Sequence, residues 1–470
     1  MLIFSTRLAE IKSSIRKNIL FGKKLTPELA AILLVYFVQG ILGLAQLAVS
    51  FFLKDDLGMS PAQVSAMLGI VVLPWIIKPV FGFISDGFPL LGYHRRPYLI
   101  FAGFLGIIAW IGMGTVVESP WTATLAITLS SLSVAISDVI VDSLVVERAR
   151  QESLGDVGSL QSLCWGTRAV GGLITAYLSG FLLEILTIKT IFLITASFPF
   201  LICIAAGLIR EKYVSDAPDL DKLKQQFSQL RQTLRQKSIW LPMAFIFIWQ
   251  ATPTADSAFF YFTTNELGFQ PEFLGRVRLV TSIASLLGVF LFQRFLKTVP
   301  FRKIFIGSTI LSSVLGMTTL LLVTHANRAI GIDDHWFSLG ESLILTVMGQ
   351  ITFMPVLVLV TRLCPPGIEA TVFASLISVN NLAGLLSHEF GALLTHLLGV
   401  TEYQFDNLWL LIVVTNISTL LPLFFINWLP KGDVQTQSQE IDSKLPISEL
   451  ARPHHLPELV PEYEGIGIRD

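Results

Sequence analysis

Charged residues are scarce in this sequence, and so is cysteine. Asp, Glu, Lys and Arg together make up 14% of the 470 residues, whereas hydrophobic residues make up 53%. A soluble protein cannot bury so much apolar surface in one core, so this composition indicates a protein that crosses a membrane several times. The formal net charge is -1 and no basic domain stands out from the apolar runs, which argues against a nucleic-acid partner.

The chain also lacks the residue patterns of metal sites and of enzymes. Its three cysteines, Cys164, Cys203 and Cys364, have no paired spacing, so we expect neither disulfides nor a metal centre. The sequence contains no His-x-x-x-His, Glu-x-x-His or Gly-x-Ser-x-Gly pattern, which would place metal ligands or a nucleophile in a membrane enzyme. We therefore predict no enzymatic activity, no cofactor and no bound metal.

Apolar runs long enough to cross a bilayer as helices fall into two sets of six. The first set lies near 29–53, 64–84, 97–117, 121–145, 160–186 and 191–209. The second set lies near 239–263, 274–296, 301–323, 337–361, 371–398 and 408–429. The sequence therefore predicts an all-α polytopic membrane protein with twelve transmembrane helices in two six-helix halves.

The segments outside these runs complete the predicted organisation. We expect a cytoplasmic N-terminal segment at 1–28, two bundles at 29–209 and 239–429, a cytoplasmic linker helix at 210–238 and a disordered cytoplasmic tail at 430–470. Near the N-terminus, apolar residues recur at helical spacing between basic ones, which predicts a short helix on the inner membrane surface. The tail is polar and interrupted by prolines, as in disordered segments.

Lysine and arginine residues concentrate in the loops on one side of the predicted bundle. Arg95, Arg96, Arg148 and Arg302 lie on that side. Because positively charged loops stay in the cytoplasm, we expect both termini to be cytoplasmic. We expect the inner (plasma) membrane of a bacterium. The alternative is that the basic N-terminus is an organelle transit peptide, which would place the protein in a chloroplast envelope.

The two halves resemble each other in sequence. Residues 54–61, Lys-Asp-Asp-Leu-Gly-Met-Ser-Pro, align without gaps with residues 264–271, Thr-Asn-Glu-Leu-Gly-Phe-Gln-Pro. The same register places Gln46 of the first predicted helix on Asp256 of the seventh. Duplicated halves are typical of transporters that bind their substrate near mid-membrane, between the repeats.

A charged turn joins the second and third predicted helices. It carries the order Gly82-x-x-x-Asp86 and then Gly-x-x-Arg95-Arg96, and it follows Lys78, which stands in Pro-Trp-x-x-Lys-Pro. Glycine permits a tight bend and Asp86 can accept from an arginine, so we predict a fixed conformational joint. For Lys78 two interpretations are open: it contacts an anion, or its ammonium group extends towards the cytoplasm.

These motifs resemble those of known transporters. The turn resembles the loop between the second and third helices of the major facilitator superfamily, although Gly87 follows the aspartate here and a basic residue follows it in the commoner form. With the flanking Pro-Trp-x-x-Lys-Pro and Arg-Arg-Pro-Tyr sequences, it is similar to the folate-biopterin transporter family. Residues 137–150, Ser-Asp-Val-Ile-Val-Asp-Ser-Leu-Val-Val-Glu-Arg-Ala-Arg, are similar to that family as well. The resemblance implies a major facilitator fold that moves folates or related pterins by alternating access.

Two carboxylates, Asp138 and Asp142, lie one turn apart on the fourth predicted helix. Like charges in a low dielectric repel, which raises the proton affinity of at least one of them, so we predict that the pair can carry a proton. The alternative is structural, in which Asp142 pairs with Arg168 or Arg148 and fastens helices. His388 is a further candidate for proton coupling, and an interhelical hydrogen bond is its alternative role.

Arginines within the predicted helices are the candidates for binding an anionic substrate. Arg168, on the fifth helix, either receives a substrate carboxylate or forms a permanent salt bridge to Asp138 or Asp142. Arg276 and Arg278 begin the eighth helix near the outer face. There they attract a negative substrate or anchor the helix at the membrane interface.

Uncharged polar residues and one carboxylate complete the predicted substrate site. Gln46 and Asp256 occupy matching positions in the two halves. One carboxylate can accept the two neighbouring N–H groups of a pterin ring, and either Asp256 or Asp138 is suited to that role in the substrate site. The other predicted substrate-binding residues are amides on the seventh, tenth and eleventh helices, namely Gln250, Gln350 and Asn381.

The sequence thus predicts a transporter of folates or pterins that works by alternating access, with proton coupling as a further expectation. Its expected partners are the small-molecule substrate, the lipid bilayer and protons, and we expect a monomer. The alternatives are a symporter of another organic anion and a membrane receptor without transport activity.

Overall fold

The computed structural model describes residues 25–149, 154–213, 235–296, 299–362 and 369–429, together with the single positions 228 and 232. Over these ranges the chain is almost entirely helical. The predicted surface helix near the N-terminus, most of the predicted linker helix and the tail after residue 429 lie outside the described residues.

Six helical spans make up the first half of the chain. Three of them are continuous helices: the third at Arg96–Thr115, the fourth at Pro120–Ala149 and the fifth at Leu154–Ile185. The other three are divided into shorter segments. These are Pro27–Ile41, Leu44–Phe51 and Phe52–Asp56 in the first span, Pro61–Val71, Leu73–Ile76 and Lys78–Gly87 in the second, and Ile188–Thr195 and Ser197–Leu208 in the sixth.

The second half has six further spans. The tenth at Asp334–Arg362 and the eleventh at Glu369–Leu397 are continuous helices. The divided spans are the seventh, eighth, ninth and twelfth. Their segments are Lys237–Gln250, Asp256–Tyr261 and Phe262–Glu266; Pro271–Leu291 and Phe292–Leu296; Phe301–Gly316 and Thr319–Val323; and Leu408–Ser418 and Leu421–Trp428. A short helix, Ala326–Ala329, precedes the tenth span.

Ten helices in the described part of the chain are long and apolar enough to cross a membrane. The seventh and eleventh spans are not among the ten. A break at 251–255 divides the seventh, and the eleventh carries polar and ionisable residues, including Asn380, Asn381 and His388, within one helix. Both pack against the spans around them, so they complete the arrangement of twelve helical spans.

The first and second spans begin with the same combination of residues. Thr26 and Ser60 each precede a proline, and their hydroxyls accept hydrogen bonds from the backbone N–H groups of Leu29 (3.2 Å) and Gln63 (3.4 Å). Proline suits the first helical position because an N–H there would have no partner within the helix. Caps of this kind stabilise a helix end by about 1 kcal/mol, so local sequence fixes where these spans begin.

The sequence repeat has a counterpart in the backbone. A π-helical turn ends the first span of each half, at Phe52–Asp56 and at Phe262–Glu266. Each turn leads to a glycine with positive φ, 60° at Gly58 and 68° at Gly268, a conformation that other residues adopt with strain. These turns mark one end of the bundle, which we call the Gly58 end. The opposite end carries the turn at Gly92 and is called the Gly92 end.

Glycines allow the helices to approach closely at two places. A Cβ atom on Gly40 would lie 2.2 Å from the backbone oxygen of Arg168, so the first and fifth spans pack backbone to backbone. A Cβ atom on Gly180 would lie 2.2 Å from the backbone oxygen of Pro271, which brings the fifth span against the eighth. In a membrane such van der Waals packing holds helices together. The small residues of the fifth span therefore help to join the two halves.

Candidate functional site

Lys78 forms ion pairs with both carboxylates of the fourth span. Its Nζ atom lies against Asp138 Oδ2 and 2.9 Å from Asp142 Oδ2. From the first span, Tyr36 donates a 2.6 Å hydrogen bond to Asp142 and Gln39 donates a 3.0 Å hydrogen bond to Asp138. Three spans therefore meet in one polar cluster, which we call the Lys78 group: Tyr36, Gln39, Lys78, Asp138 and Asp142.

The local sequence explains how the Lys78 group forms. Asp138 and Asp142 are one helical turn apart and so present their side chains on the same face. Pro74 and Pro79 interrupt the second span, whose last helical segment starts at Lys78. The lysine therefore occupies the first position of that segment, opposite the two carboxylates.

The sequence motif grouped Lys78 and Gly82 with the charged turn at Asp86–Arg96. In the structure neither residue lies in that turn. The Lys78 side chain is only 12% exposed, so the interpretation in which its ammonium group extends towards the cytoplasm is wrong. Gly82 lies inside the helical segment, where its carbonyl accepts a 3.0 Å hydrogen bond from Ser85. A Cβ atom on Gly82 would lie 3.6 Å from Val139 of the fourth span. Both residues thus belong to the contact between the second and fourth spans.

Burial differs between the two carboxylates of the Lys78 group. The Asp138 side chain is 8% exposed, whereas that of Asp142 is 44% exposed. When all three ionisable groups are charged, the two carboxylates leave one negative charge without compensation. An isolated charge deep in a bilayer costs at least about 2.5–3.5 kcal/mol, and one bound proton removes it. The group is therefore chemically suited to bind and release a proton through its more exposed member, Asp142.

Arg168 takes no part in the Lys78 group. Its guanidinium carbon lies 5.4 Å from the ring centroid of Trp165, and among the described residues it forms no ion pair. The predicted alternative of a salt bridge from Arg168 to either aspartate is therefore wrong, because Lys78 fills that role. Arg148 donates a 3.0 Å hydrogen bond to Thr26 at the start of the first span.

The two arginines of the eighth span have different surroundings. Arg278 is half-buried and donates a 2.5 Å hydrogen bond to Gln46 and a 3.4 Å hydrogen bond to Ser179, both in the first half. Within the described part of the chain it has no acidic partner. Arg276 forms a 2.5 Å ion pair with Glu272, one turn earlier, and its side chain is 57% exposed. Arg278 therefore presents an uncompensated positive charge between the halves, and Arg276 does not.

Gln46 and Asp256 keep the correspondence that the repeat predicts. Both side chains are exposed, although each lies within a helical span. Asp256 starts the helical segment after the break at 251–255, and its backbone N–H donates to the Thr254 hydroxyl at 3.2 Å. Gln250 ends the segment before the break, and its Nε2 atom lies 3.9 Å from the position of a Cβ on Gly384. The seventh span thus carries its two predicted substrate residues on either side of a break.

The remaining two predicted amides lie at contacts between helices. Asn381, on the eleventh span, donates a 3.2 Å hydrogen bond to the backbone oxygen of Trp75 on the second span. A Cβ atom on Gly288 would lie 2.7 Å from Gln350 Cβ, so the eighth and tenth spans pack tightly at this amide. These contacts give both residues a structural role in this conformation.

His388 lies where the second and eleventh spans meet. Its backbone oxygen accepts a 3.0 Å hydrogen bond from Ser65, and a Cβ atom on Gly69 would lie 2.6 Å from Glu389 Oε1. The His388 Nδ1 atom is buried without a hydrogen-bond partner among the described residues. This position agrees with the alternative in which His388 forms a hydrogen bond between helices. The bond is made by its backbone oxygen and not by its ring.

The charged turn at the Gly92 end is held by an ion pair and by a carboxylate that the sequence analysis did not select. Arg95 forms a 2.6 Å ion pair with Asp86. Glu211, just after the sixth span, accepts hydrogen bonds from the backbone N–H groups of three consecutive residues, at 2.5 Å from His94, 3.0 Å from Arg95 and 3.2 Å from Arg96. A carboxylate at the N-terminus of the third span is favoured by the unpaired N–H groups and the helix dipole there.

Polar contacts join the two halves at the Gly58 end. Lys54 donates a 2.8 Å hydrogen bond to Asn265, which donates at 2.8 Å to the backbone oxygen of Glu402. The Tyr261 hydroxyl donates to the backbone oxygen of Met59. These bonds connect the turns after the first, seventh and eleventh spans, so the Gly58 end is closed.

Among the residues that the sequence analysis did not select, Tyr36 and Trp165 had a visible signal. Tyr36 lies three residues before Gln39, so both face the same side of the first span. Trp165 lies three residues before Arg168, within reach of its guanidinium. Glu211 had no comparable signal, because its partners are backbone N–H groups of a distant turn.

Twelve helical spans in two halves, with polar clusters inside the bundle and one closed end, form the arrangement of the major facilitator fold. Solved transporters share this fold. The nucleoside transporter NupG superposes with a TM-score of 0.63 at 12% identity, over 85% of this chain and 98% of that one. The inward-open xylose transporter XylE from E. coli superposes with a TM-score of 0.59 at 14% identity, over 88% of this chain and 99% of that one.

The chain belongs to the BT1 family, whose family model matches residues 39–449. It is 61% identical to a protein of Synechocystis named folate-biopterin transporter, over 93% of this chain and 88% of that protein. It is 33% identical to probable folate-biopterin transporter 2 of Arabidopsis thaliana, over 85% and 81% of the two chains. It is 31% identical to folate transporter 2 of Plasmodium falciparum, over 85% and 88%.

Proposed function

We propose that this protein carries folates or pterins across a membrane by alternating access between its two halves. Relatives in a bacterium, a plant and a parasite are named for folate or biopterin transport, which supports this substrate class. The observation that carries the proposal is Arg278, a half-buried guanidinium without an acidic partner among the described residues. A cation in that position favours an anionic ligand, and folates carry carboxylates.

Arg278 is the proposed contact for the substrate carboxylates. A guanidinium binds a carboxylate through two parallel hydrogen bonds, and Gln46 adds an amide beside it. Arg276 is left out of this site, because Glu272 already neutralises it. In the second half, Asp256 is the proposed acceptor for N–H groups of the substrate, with Gln250 across the break in the same span. Gln350 and Asn381 are assigned to helix contacts.

The Lys78 group is the proposed site of proton coupling. A proton entering through the exposed Asp142 neutralises the excess charge of the two carboxylates, and its release restores both ion pairs to Lys78. Such a cycle needs a polar route to one carboxylate and burial of the other, which matches the exposures of Asp142 and Asp138. His388 lies outside this group, so we assign it to the contact between the halves.

The Gly92 end faces the cytoplasm in this proposal, together with both termini, the linker at 210–238 and the tail at 430–470. The arginines near that end, Arg95, Arg148 and Arg302, support the orientation. Closure of the Gly58 end then corresponds to a conformation that opens towards the cytoplasm. The proposed location is the inner membrane of a bacterium, which the bacterial relative supports, and the proposed transporting unit is a monomer.

Uptake of labelled folate into proteoliposomes tests this proposal, with Arg278→Gln and Arg276→Gln as a matched pair two residues apart. Loss of a charged hydrogen-bonded contact costs about 1.5–3 kcal/mol, so we expect Arg278→Gln to reduce uptake at limiting folate by about tenfold or more. Arg276→Gln removes only an exposed ion pair and should change uptake by less than about twofold. Equal uptake by the two variants at equal expression would contradict the role of Arg278.

A further inference from the structure

Trp165 is a large aromatic side chain whose exposure is not explained by lipid. It lies on the fifth span and is 52% exposed. Residues seven apart lie on nearly the same face of a helix, so Trp165 shares a face with Gly172 and Ser179. Ser179 is buried and accepts the hydrogen bond from Arg278. The face that carries Trp165 therefore looks between the halves, towards Arg278.

The opposite face of the same helix is the one that meets lipid. Val170, Ile174, Phe181 and Ile185 are exposed to 52%, 44%, 39% and 59%, and all four project away from the Trp165 face. An exposed apolar stripe on a spanning helix is the expected contact surface for lipid. Because that stripe is complete without Trp165, the indole is exposed to an interior space.

Gly172 shows that this space is empty above the indole. Among the residues that the structure describes, none lies within 4 Å of a Cβ atom placed on Gly172, although a Cβ atom on Gly171 beside it would lie 2.8 Å from the backbone oxygen of Phe37 on the first span. The hollow therefore lies along one face of the fifth span from Trp165 to Gly172, and beyond it Ser179, buried on the same face, binds Arg278. Trp165 and Ser179 are separated by about 20 Å along the helix axis, at 1.5 Å per residue.

One face of the indole is already covered by a cation. The Arg168 guanidinium lies 5.4 Å from the Trp165 ring centroid and has no ion pair among the described residues. Stacking with a cation fixes the orientation of the indole and leaves its other face to the hollow. Indole faces stack on flat heteroaromatic rings, which is how proteins hold nucleobases.

We propose that Trp165 is a ring-stacking residue of the substrate site, with Arg168 as the positioning residue that orients its indole. The ligand is then elongated, with a flat heteroaromatic ring on Trp165 and an anionic group at Arg278. This inference rests on the proposed function. It adds that Trp165 binds the ring end of the ligand and that Arg278 binds the anionic end. The two ends are recognised by different spans, so their contributions can be separated.

Competition against labelled folate uptake in proteoliposomes tests this inference. Pterin carries only the ring end of folate, and p-aminobenzoylglutamate carries only the anionic end. We expect Trp165→Leu to weaken inhibition by pterin about tenfold or more, in line with measured losses of base stacking, and to leave inhibition by p-aminobenzoylglutamate within about twofold. Arg278→Gln should have the reverse effect on the two inhibitors. Trp165→Phe keeps an aromatic face and should retain most of the pterin inhibition.

Trp121→Leu is the matched control, because Trp121 begins the fourth span and is 80% exposed. The inference is overturned if pterin inhibits Trp165→Leu as strongly as it inhibits the wild type. It is also overturned if both inhibitors lose potency equally, which is the result expected for a tryptophan at the membrane interface. If Trp165→Leu fails to fold, Trp165→Met takes its place in the same comparison. Unchanged pterin inhibition in Arg168→Met overturns the positioning role. Absence of folate uptake by the wild type would instead contradict the proposed function.

Discussion

The ammonium group of Lys78 lies against the carboxylate of Asp138, in an ion pair between the second and fourth spans. The same ammonium group reaches Asp142, one turn further along. One cation thus holds two carboxylates that would otherwise repel each other at membrane depth. The Lys78 group therefore carries one more negative charge than positive charge when all three ionisable side chains are charged.

Replacing Lys78 with methionine leaves both carboxylates without a cation. Breaking a buried ion pair by removing one partner costs about 3–5 kcal/mol, so we expect a marked fall in the thermal unfolding temperature in detergent. Adding Asp138→Asn to this variant should recover most of the loss, because it removes the unpaired buried charge. Lys303→Met, at an exposed lysine, is the control. Equal unfolding temperatures for wild type and Lys78→Met would contradict the bridge.

Closure of the Gly58 end can be trapped covalently. Lys54 and Asn265 lie in opposite halves and their side chains are 2.8 Å apart. In a background without the three native cysteines, cysteines at both positions should react with a short thiol-specific cross-linker. If the Gly58 end must open in each cycle, cross-linking abolishes uptake. Each single-cysteine variant should keep its uptake after the same treatment. Full uptake by the cross-linked double variant would show that this end does not open during transport.

Gly172 borders the hollow, so a larger side chain there should block the substrate without disturbing the fold. No residue in the described part of the chain lies within 4 Å of a Cβ atom on Gly172, and we therefore expect Gly172→Leu to express and unfold as the wild type does. Its folate uptake should fall by about tenfold or more, because the added side chain occupies the ligand space. Gly207→Leu is the control, since Gly207 is exposed on the sixth span with equally free surroundings. Normal uptake by Gly172→Leu would argue against a hollow on this face.

Glu211 fixes the charged turn through three backbone N–H groups. Glu211→Ala leaves these donors without their acceptor, and we expect a loss of stability of about 1–3 kcal/mol. Glu211→Gln keeps one oxygen acceptor and should lose less. Thermal unfolding of both variants distinguishes these outcomes, with Glu118→Ala as a control at an exposed position. An order in which Glu211→Gln is the less stable variant would contradict the capping role.

The helical spans and the repeat were predictable because they depend on local patterns. Apolar runs of sufficient length predict membrane helices, and Leu-Gly-x-x-Pro turns recur at the same place in both halves. The partners of Lys78 were not predictable in this way. Pro74 and Pro79 break the second span, and the rotation of the helix after a break depends on tertiary packing.

The sequence around the two arginines of the eighth span contains a difference that the sequence analysis did not use. Glu272 stands four residues before Arg276, a spacing at which helical side chains pair, and no acid stands in that relation before Arg278. The sequence could therefore have separated the neutralised arginine from the free one. Trp165 could also have been selected, since its spacing from Gly172 and Ser179 places it on the interior face.

Counterflow in proteoliposomes tests the central claim of folate or pterin transport most directly. Vesicles that contain the wild-type protein and are preloaded with unlabelled folate are diluted into labelled folate. Alternating access exchanges internal for external substrate, so we expect a transient accumulation of label above the level in vesicles without internal folate. Folded protein that shows no such accumulation with folate, pterin or biopterin as the internal substrate would contradict the claim.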